Sequence, residues 1–259
     1  MNAVAKDGQV TELLNDATNI LSRFVVPLYR DEGGRPSQVG SGFFVRAGSS
    51  QFLVSAAHVL EFSASLFYYI EPNVTAKLSG ELRMSRWNGD REHDPVDVGV
   101  LKLKDSVPPY PKVNKYAVDV SYLHARILPR ADKVYSIIGF PATQSKLNST
   151  TRKVLSTVYA YRNRSIPDSE YASFNASPAT HVILPMDLLK GVDSNGQQRT
   201  FPKPQGMSGS PIFMLIEEGP VVESRSFPIV GIGTKYRKAK KVLIGTDVDI
   251  AVAMINEAV

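Results

Sequence analysis

The sequence predicts an all-β protein, built as barrels or as a sandwich, with one helix near each end. The middle of the chain has short runs of β-forming residues separated by turn residues, which is typical of many short strands. Apolar residues within 10–24 recur at three- and four-residue spacing, and similar spacing returns within 248–259. These two segments are therefore predicted to be helical, and Asp7 is a candidate cap for the first.

Each predicted strand is bounded by residues that favour turns. Gly33 and Gly34 follow the first strand, and residues 47–50 join the second strand to the third. The predicted strands are 24–29, 42–47, 51–55, 65–70, 77–84, 96–103, 134–139, 153–161, 180–184, 212–217, 227–234 and 242–248.

The chain is long enough for one large domain or for two small ones that share an interface. It has 259 residues, and 43% of them are hydrophobic. The proline-rich stretch 108–111 cannot lie inside a central strand, so it marks a long connection. We therefore expect one unit at 1–120, with the first helix, and a second at 121–259, with the last helix.

The absence of cysteine excludes both a disulfide-stapled scaffold and a cysteine nucleophile, and it suits a reducing cytoplasm. Acidic and amide residues interrupt every apolar run near the N-terminus, so the pattern of a signal peptide is not met. No stretch is long and apolar enough to span a membrane. We expect a soluble, cytoplasmic protein without a membrane partner.

One cluster of positive charge stands out from a net charge of only +5. Residues 235–241 carry five basic side chains and no acidic one. We interpret this basic run as a solvated turn between two strands, and a nucleic-acid or membrane patch is the alternative. No second basic stripe with interleaved aromatics accompanies it, so we do not expect nucleic acid as a partner.

Two motifs in the first half contain candidate catalytic side chains. Residues 53–57 end an apolar strand in small residues, and His58 follows them. Histidine is suited to proton transfer near neutral pH, although a single histidine here is also compatible with a structural role. Asp97 begins the apolar run 98–103, where a partly buried carboxylate needs a donor such as the Nδ1–H of His58. Asp94 is the rival carboxylate, and its polar, proline-containing surroundings predict that it is solvated.

The third motif is the glycine-rich turn 204–211, which leads into a strand. Gly206 and Gly209 permit backbone conformations that other residues resist. Such a turn can direct the N–H groups of Gly206 and Ser208 toward one point, as an oxyanion hole requires, with Ser208 beside them as nucleophile. A plain loop is the alternative, because Gly-x-Ser-Gly also occurs by chance.

Together these motifs resemble the trypsin-like serine proteases, nearest to the bacterial HtrA-type protease domain without a PDZ domain. The resemblance covers about residues 20 to 258 in order and spacing, and it implies two antiparallel six-stranded β-barrels packed together. It also implies that His58, Asp97 and Ser208 form a catalytic triad, and that the Thr234 hydroxyl supports Asp97. The segments that carry it are 40–44, 55–58, 97–101, 138–141, 206–211 and 230–234.

The order of these residues along the chain excludes one other triad fold and gives no support to a second. An α/β-hydrolase has its histidine after the nucleophile, but no histidine follows Ser208. A subtilisin-type order needs an aspartate before His58; Asp31 is available, but it lies in a predicted turn without a supporting motif.

Met207 departs from the pattern of digestive-type relatives, which carry an aspartate there that pairs with a freshly cut N-terminus. Methionine cannot form this ion pair, so we do not expect activation by N-terminal trimming. The oxyanion turn is then either permanently formed or ordered by a ligand or an activating partner.

The resemblance places the substrate pocket at Pro202 and at Gly233 and Thr234. Since no acidic residue occupies the base position at Pro202, we expect a small or medium apolar substrate side chain rather than Arg or Lys. Asp187 or Asp193 would overturn this expectation by folding back into the pocket.

The leading functional hypothesis is a serine endopeptidase that acts through an acyl-enzyme on protein or peptide substrates. The alternative is a catalytically silent trypsin-fold binding module. No metal or cofactor is expected, because the four histidines form no pair at ligand spacing and no phosphate-binding glycine loop precedes a helix.

Overall fold

A computed structural model of the chain describes residues 18–71, 74–89, 91–104, 117–123, 130–131, 133–148, 154–192, 197–215 and 227–259. Helix α1 is Ala57–Leu60 and helix α2 is Asp249–Asn256. The strands are β1 Val25–Asp31, β2 Pro36–Ala47, β3 Ser50–Ala56, β4 Leu66–Glu71, β5 Val74–Lys77, β6 Gly80–Met84, β7 Val98–Leu103, β8 Val118–Asp119, β9 Val134–Gly139, β10 Ser145–Leu147, β11 Val154–Ser156, β12 Tyr159–Arg164, β13 His181–Pro185, β14 Gly191–Val192, β15 Gln198–Arg199, β16 Pro211–Leu215, β17 Ile229–Arg237 and β18 Val242–Asp247.

The first sheet curls into a barrel. Its strand order is β5-β4-β1-β2-β3-β7-β6, with β8 added in parallel beside β2. Its two end strands, β5 and β6, are separated in sequence by only Leu78 and Ser79. The Leu78 N–H donates to the Leu66 carbonyl at 3.0 Å, and the Lys104 N–H donates to the Ser79 carbonyl at 3.1 Å. One bent strand thus joins the ends of the sheet, which closes a barrel of six strands when β5 and β6 are taken together.

The second sheet has the order β12-β9-β16-β17-β18-β13 and also brings its ends together. The Ile166 N–H donates to the Ile183 carbonyl at 3.1 Å, and Asn163 Nδ2 donates to the Pro185 carbonyl at 2.8 Å. These bonds join the end of β12 to β13. The all-β fold of two antiparallel barrels is confirmed, as is the C-terminal helix.

The two barrels pack against each other through a shared apolar layer. Along β2, Phe43 and Val45 face this layer, while Phe44 between them faces the interior of the first barrel. The alternation follows from the two-residue period of a strand. Phe213 and Ile232 contribute to the same layer from the second barrel. Strands near the junction are therefore apolar on both faces.

Some elements differ from their predicted extent. The predicted strand at 77–84 is interrupted by the bend at Leu78 and Ser79, and the one at 153–161 divides into β11 and β12. The short strands β8, β10, β14 and β15 were not predicted, because two- and three-residue strands have too few residues for a period. Of the first helix, residues 18–21 are helical and 10–17 lie outside the described residues.

The basic run 235–241 covers the end of β17 and the turn to β18: residues 235–237 are half-buried strand residues, and 238–241 form the expected exposed turn. Lys238–Lys240 makes one 3-10 turn, and Lys241 takes a left-handed conformation with φ 49°. Lys240 Nζ lies 4.6 Å from the centre of the Phe174 ring and donates to the Ser173 carbonyl at 2.8 Å. Among the described residues, no helix has the length and apolar content needed to cross a membrane.

A buried ion pair joins Arg130 to the end of β18. Both Arg130 and Asp247 are 1% exposed, and Arg130 Nη2 contacts Asp247 Oδ2. Arg130 Nε also donates to the Pro178 carbonyl at 2.7 Å, and Asp247 Oδ1 accepts from the Asp249 N–H at 3.0 Å. The pair therefore connects the segment before β9 with the loop before β13 and the start of α2.

We expect Arg130→Met to lower the free energy of unfolding by about 3–5 kcal/mol, because it leaves the Asp247 carboxylate buried without its cation. Urea denaturation measures this change. The matched control is Arg46→Met, which breaks a pair with Asp119 whose side chains are 47% and 39% exposed; its effect should be about 0–1 kcal/mol. Equal losses for the two variants would contradict the prediction.

Candidate active site

His58 and Asp97 are in direct contact with each other. His58 lies in α1, immediately after β3. Its Nδ1 is 2.6 Å from Asp97 Oδ2, and its backbone N–H donates to Asp97 Oδ1 at 2.9 Å. The Asp97 side chain is 3% exposed, whereas that of His58 is 35% exposed. A buried carboxylate thus holds the imidazole by Nδ1, which leaves Nε2 as the nitrogen able to accept a proton.

The backbone at Asp97 is strained. Its φ is 46°, in the left-handed region that few residues other than glycine adopt. The Asp97 carbonyl accepts from the Ala57 N–H at 3.0 Å, so the main chain and the side chain of Asp97 both bond to the first turn of α1. Strain of this kind costs about 1–3 kcal/mol and persists where the surroundings over-determine it, often at functional sites.

Asp94 is buried rather than solvated, so that prediction was wrong. Only 3% of Asp94 is exposed. Its Oδ2 accepts from Ser85 Oγ and from Arg91 Nη1, each at 2.7 Å, and its Oδ1 accepts from the Val96 N–H at 2.9 Å. Burial raises the pKa of Asp94, but these hydrogen bonds and one from the Asp97 N–H outweigh it and lower the pKa below its ordinary value. Asp94 braces the loop that presents Asp97.

His181 holds the same loop from the second barrel. This side chain is 5% exposed, and its Nε2 is 2.7 Å from the Pro95 carbonyl. Its Nδ1 lies 3.3 Å from the Ser177 N–H and 2.8 Å from Thr180 Oγ1. Because a backbone N–H can only donate, Nδ1 is the acceptor and Nε2 carries the proton donated to Pro95. Sequence reasoning missed this contact, since nothing near residue 181 indicates a partner 86 positions away.

The turn that carries Ser208 packs against strands of the first barrel. The Ser41 N–H donates to the Ser208 carbonyl at 2.8 Å. Gly209, at φ 89°, lies so close to Ser55 Oγ and the Ser41 carbonyl that a Cβ there would overlap both. A Cβ added to Gly40 would lie 2.6 Å from Val59 Cγ2 and 3.1 Å from the Ser208 carbonyl. Only glycine fits at either position, and Ser208 is thereby placed beside the start of α1.

The Ser208 hydroxyl donates to the Thr234 carbonyl at 3.3 Å, and it makes no hydrogen bond with His58 in this structure. The structure thus joins His58 to Asp97 and packs the serine turn against β2 and β3 of the same barrel.

The two amides that the sequence assigns to an oxyanion hole are open. Within the part of the chain that the structure describes, neither the Gly206 N–H nor the Ser208 N–H donates a hydrogen bond. The preceding carbonyls are both occupied: Gln205 accepts from the Ala142 N–H at 2.7 Å, and Met207 accepts from the Ser210 N–H at 3.0 Å. In a trans peptide the N–H points opposite to the carbonyl. The Gly206 and Ser208 N–H groups therefore point away from those partners and are available to an anion.

Thr234 does not support Asp97 in this structure. Its Oγ1 donates to the Ile244 carbonyl at 3.3 Å. The reason is a bulge between Gly233 and Lys235, which places Thr234 outside the regular pairing of β17 with β18. A Cβ at Gly233 would meet Ile137, so the vacant side of Gly233 faces the barrel interior.

The surroundings of the expected pocket are apolar, and the one acidic side chain described there is paired with a lysine. Pro202 is half-buried beside Phe201, whose ring packs edge-on against Tyr159 at 5.6 Å and Tyr161 at 5.4 Å. Asp187 Oδ2 is 2.9 Å from Lys241 Nζ, and this bond lowers the pKa of Asp187. Asp187 thus offers no unpaired negative charge. Asp193 lies outside the described residues.

Among the described residues, no group of three or more His, Asp or Glu side chains is arranged to hold a metal ion.

The comparisons with known proteins identify the fold. No family model matches the sequence, and no curated protein matches it. A solved Glu endopeptidase, in complex with MPD, is similar over 91% of this chain and 90% of its own, with a TM-score of 0.51 and 15% identity. The thermostable serine protease AL20, from an extremophilic microorganism, is similar over 88% of this chain and 92% of its own, with a TM-score of 0.53 and 13% identity. The chain has the trypsin-like two-barrel fold.

We expect Asp94→Asn to lower the free energy of unfolding by about 1–3 kcal/mol at pH 7, because the amide cannot satisfy the donors that surround the carboxylate. The pKa of Asp94 is lower in the folded protein than in the unfolded chain, where it is about 3.9, so the ionised carboxylate stabilises the fold above that pH. This stabilisation is lost as the pH falls through the pKa of the folded state. The difference in the free energy of unfolding between Asp94→Asn and the wild type should therefore become smaller below about pH 4. Urea denaturation from pH 7 to pH 3.5 measures it.

Glu81→Gln is the control for this experiment, since the Glu81 side chain is 62% exposed. It should track wild type at each pH. A difference for Asp94→Asn that stays constant over the whole range would show that the charged carboxylate is not the stabilising form.

Proposed function

We propose that this chain is a serine endopeptidase, similar to bacterial HtrA-type protease domains, with His58, Asp97 and Ser208 as its triad. The observation that carries the proposal is the 2.6 Å contact between His58 Nδ1 and the buried Asp97 carboxylate, beside the turn that holds Ser208. The fold supports it, since the two solved structures compared above are proteases by name. Protein or peptide chains are the substrates, and the absence of cysteine favours a cytoplasmic setting.

The mechanism begins with rotation of Ser208 Oγ away from the Thr234 carbonyl toward His58 Nε2. As Oγ bonds to the substrate carbonyl carbon, its proton passes to Nε2, and Asp97 stabilises the imidazolium. The Gly206 and Ser208 N–H groups bind the oxyanion. Cleavage of the C–N bond releases the amine, which takes the proton from His58 and leaves an acyl-Ser208. Water then repeats the sequence, losing its proton to His58, and the acid product departs with Ser208 restored.

A second candidate function is a trypsin-fold binding module that does not cleave. The hydrogen bond of Ser208 to Thr234 instead of His58 favours this alternative. Between the protease and the binding module lies a protease that becomes active only when a partner breaks this hydrogen bond. Serine-directed probes separate these cases, because covalent reaction needs a nucleophilic Ser208.

For substrate preference we propose a small or medium apolar side chain before the cleaved bond. The aromatic packing around Phe201 and the pairing of Asp187 with Lys241 support this. One structural neighbour is by name a Glu endopeptidase, so preference for Glu is the alternative.

Wild-type protein should react with a fluorophosphonate probe, and Ser208→Ala should not. Ser210→Ala is the matched control, because Ser210 lies two residues further along the same turn and its buried Oγ has no hydrogen-bond partner in the described chain. It should label like wild type. Asp97→Asn should reduce peptide hydrolysis about 10⁴-fold, as expected for a triad whose histidine takes the wrong tautomer. Undiminished labelling of Ser208→Ala would end the assignment, and an unreactive wild type would favour the binding module.

Digestion of a peptide library, read by mass spectrometry, should show cleavage after Ala, Val or Leu more often than after Arg, Lys or Glu. A hydrophobic pocket discriminates by about 1–3 kcal/mol per methylene, so the preference should be graded. Dominant cleavage after Glu or after Lys and Arg would contradict the proposed pocket.

A further inference from the structure

The Ser41 hydroxyl connects the first barrel to the turn that holds the proposed nucleophile. Ser41 is fully buried. Its Oγ donates to the Gly206 carbonyl at 2.7 Å and accepts from the Phe140 N–H at 3.2 Å. Its N–H donates to the Ser208 carbonyl at 2.8 Å, and its carbonyl accepts from Ser55 Oγ at 2.6 Å. One residue of β2 therefore bonds to the turn on both sides of Met207.

Gln38, three residues earlier, contacts the same turn. Its Nε2 donates to the Phe140 carbonyl and, at 3.3 Å, to the Gly206 carbonyl. The Gly206 carbonyl thus has two donors from β2. The four consecutive carbonyls from Gln205 to Ser208 each accept a hydrogen bond. Their donors are, in order, the Ala142 N–H, Ser41 Oγ, the Ser210 N–H and the Ser41 N–H.

The turn needs such bonds because Met207 cannot supply an ionic one. Met207 is 1% exposed and packs among apolar residues of the second barrel. A thioether accepts hydrogen bonds only weakly and cannot pair with an ammonium group. The Gly206 and Ser208 amides share peptides with the Gln205 and Met207 carbonyls, which accept from Ala142 and Ser210. Ser41 bonds to the peptides that follow each of them, and its hydroxyl makes the shortest side-chain hydrogen bond to the turn.

We propose that Ser41, assisted by Gln38, is a positioning residue that holds the oxyanion turn with its N–H groups directed at the substrate. This inference rests on the proposed function, and it concerns how the proposed activity is regulated. The turn is formed in the free chain, and neither N-terminal trimming nor an activating partner is needed to order it.

Ser41→Ala tests this inference because it removes one hydroxyl and adds no bulk. We expect kcat on a peptide substrate to fall about 10- to 100-fold, which is less than the 10²- to 10³-fold loss for removing an oxyanion donor itself. KM should change less than about threefold, since the amides act mainly in the transition state. Affinity for a peptide boronic acid, which mimics the tetrahedral intermediate, should fall in parallel with kcat. Gln38→Leu, at a half-buried position, should produce a smaller loss of the same kind.

Ser165→Ala is the matched control. Ser165 is also buried, and its Oγ lies 2.7 Å from the Tyr171 hydroxyl and donates to the Ile183 carbonyl at 3.1 Å, away from the turn. It should lose stability in thermal unfolding but keep the wild-type kcat and boronic acid affinity. If Ser165→Ala lowers kcat as Ser41→Ala does, general loosening explains both and the inference is wrong.

The outcomes separate this inference from the proposed function. An unreactive wild type would refute the proposed function. A reactive wild type whose kcat and boronic acid affinity survive both Ser41→Ala and Gln38→Leu would refute only the role of Ser41. The full chain with an uncleaved N-terminal tag should match the untagged chain within about twofold in kcat, and a larger rise on tag removal would show that the N-terminus orders the turn.

Discussion

The structure around the site depends on one buried carboxylate, which lies at the junction of the two barrels. Asp97 is 2% exposed, and a carboxylate in that environment is unfavourable unless donors surround it. Two donors come from one residue, the backbone N–H and the Nδ1 of His58. This arrangement requires α1 to start at the end of β3 and requires Asp97 to take a left-handed backbone conformation. The neighbouring structure serves to hold both in place.

The loop that presents Asp97 is braced from both barrels. From its own barrel, Asp94 collects hydrogen bonds from Ser85 and Arg91 inside the loop. From the second barrel, His181 donates to Pro95, and Thr246 Oγ1 donates to the Val96 carbonyl. The buried pair of Arg130 and Asp247 lies behind this contact, because Asp247 also bonds to Thr180, the residue before His181. Relative movement of the barrels would therefore disturb Asp97 and the serine turn together.

Local patterns predicted much of the fold and the chemical groups of the site. A strand such as β18, whose six residues are all buried, reads as a short run of mostly apolar, β-forming residues. Such a run is visible in a short sequence window without knowledge of the strands that pair with it. The bend that divides 77–84 into β5 and β6 was not predictable in this way, because it depends on pairing with β4 on one side and β7 on the other. Asp94 was misjudged for a related reason: its own segment is polar, and the burial comes from residues packed over it.

The sequence by itself determined which groups could react: an imidazole after a strand of small residues, a carboxylate before an apolar run, and a hydroxyl in a turn whose glycines allow positive φ. Those features are local, since each depends on residues a few positions apart. Only the tertiary structure decided which groups meet. Ser41 and Gly206 are 165 positions apart, and His181 and Pro95 are 86 apart. Hydrogen bonds over such separations depend on how two closed barrels pack, and no periodicity within either segment encodes that packing.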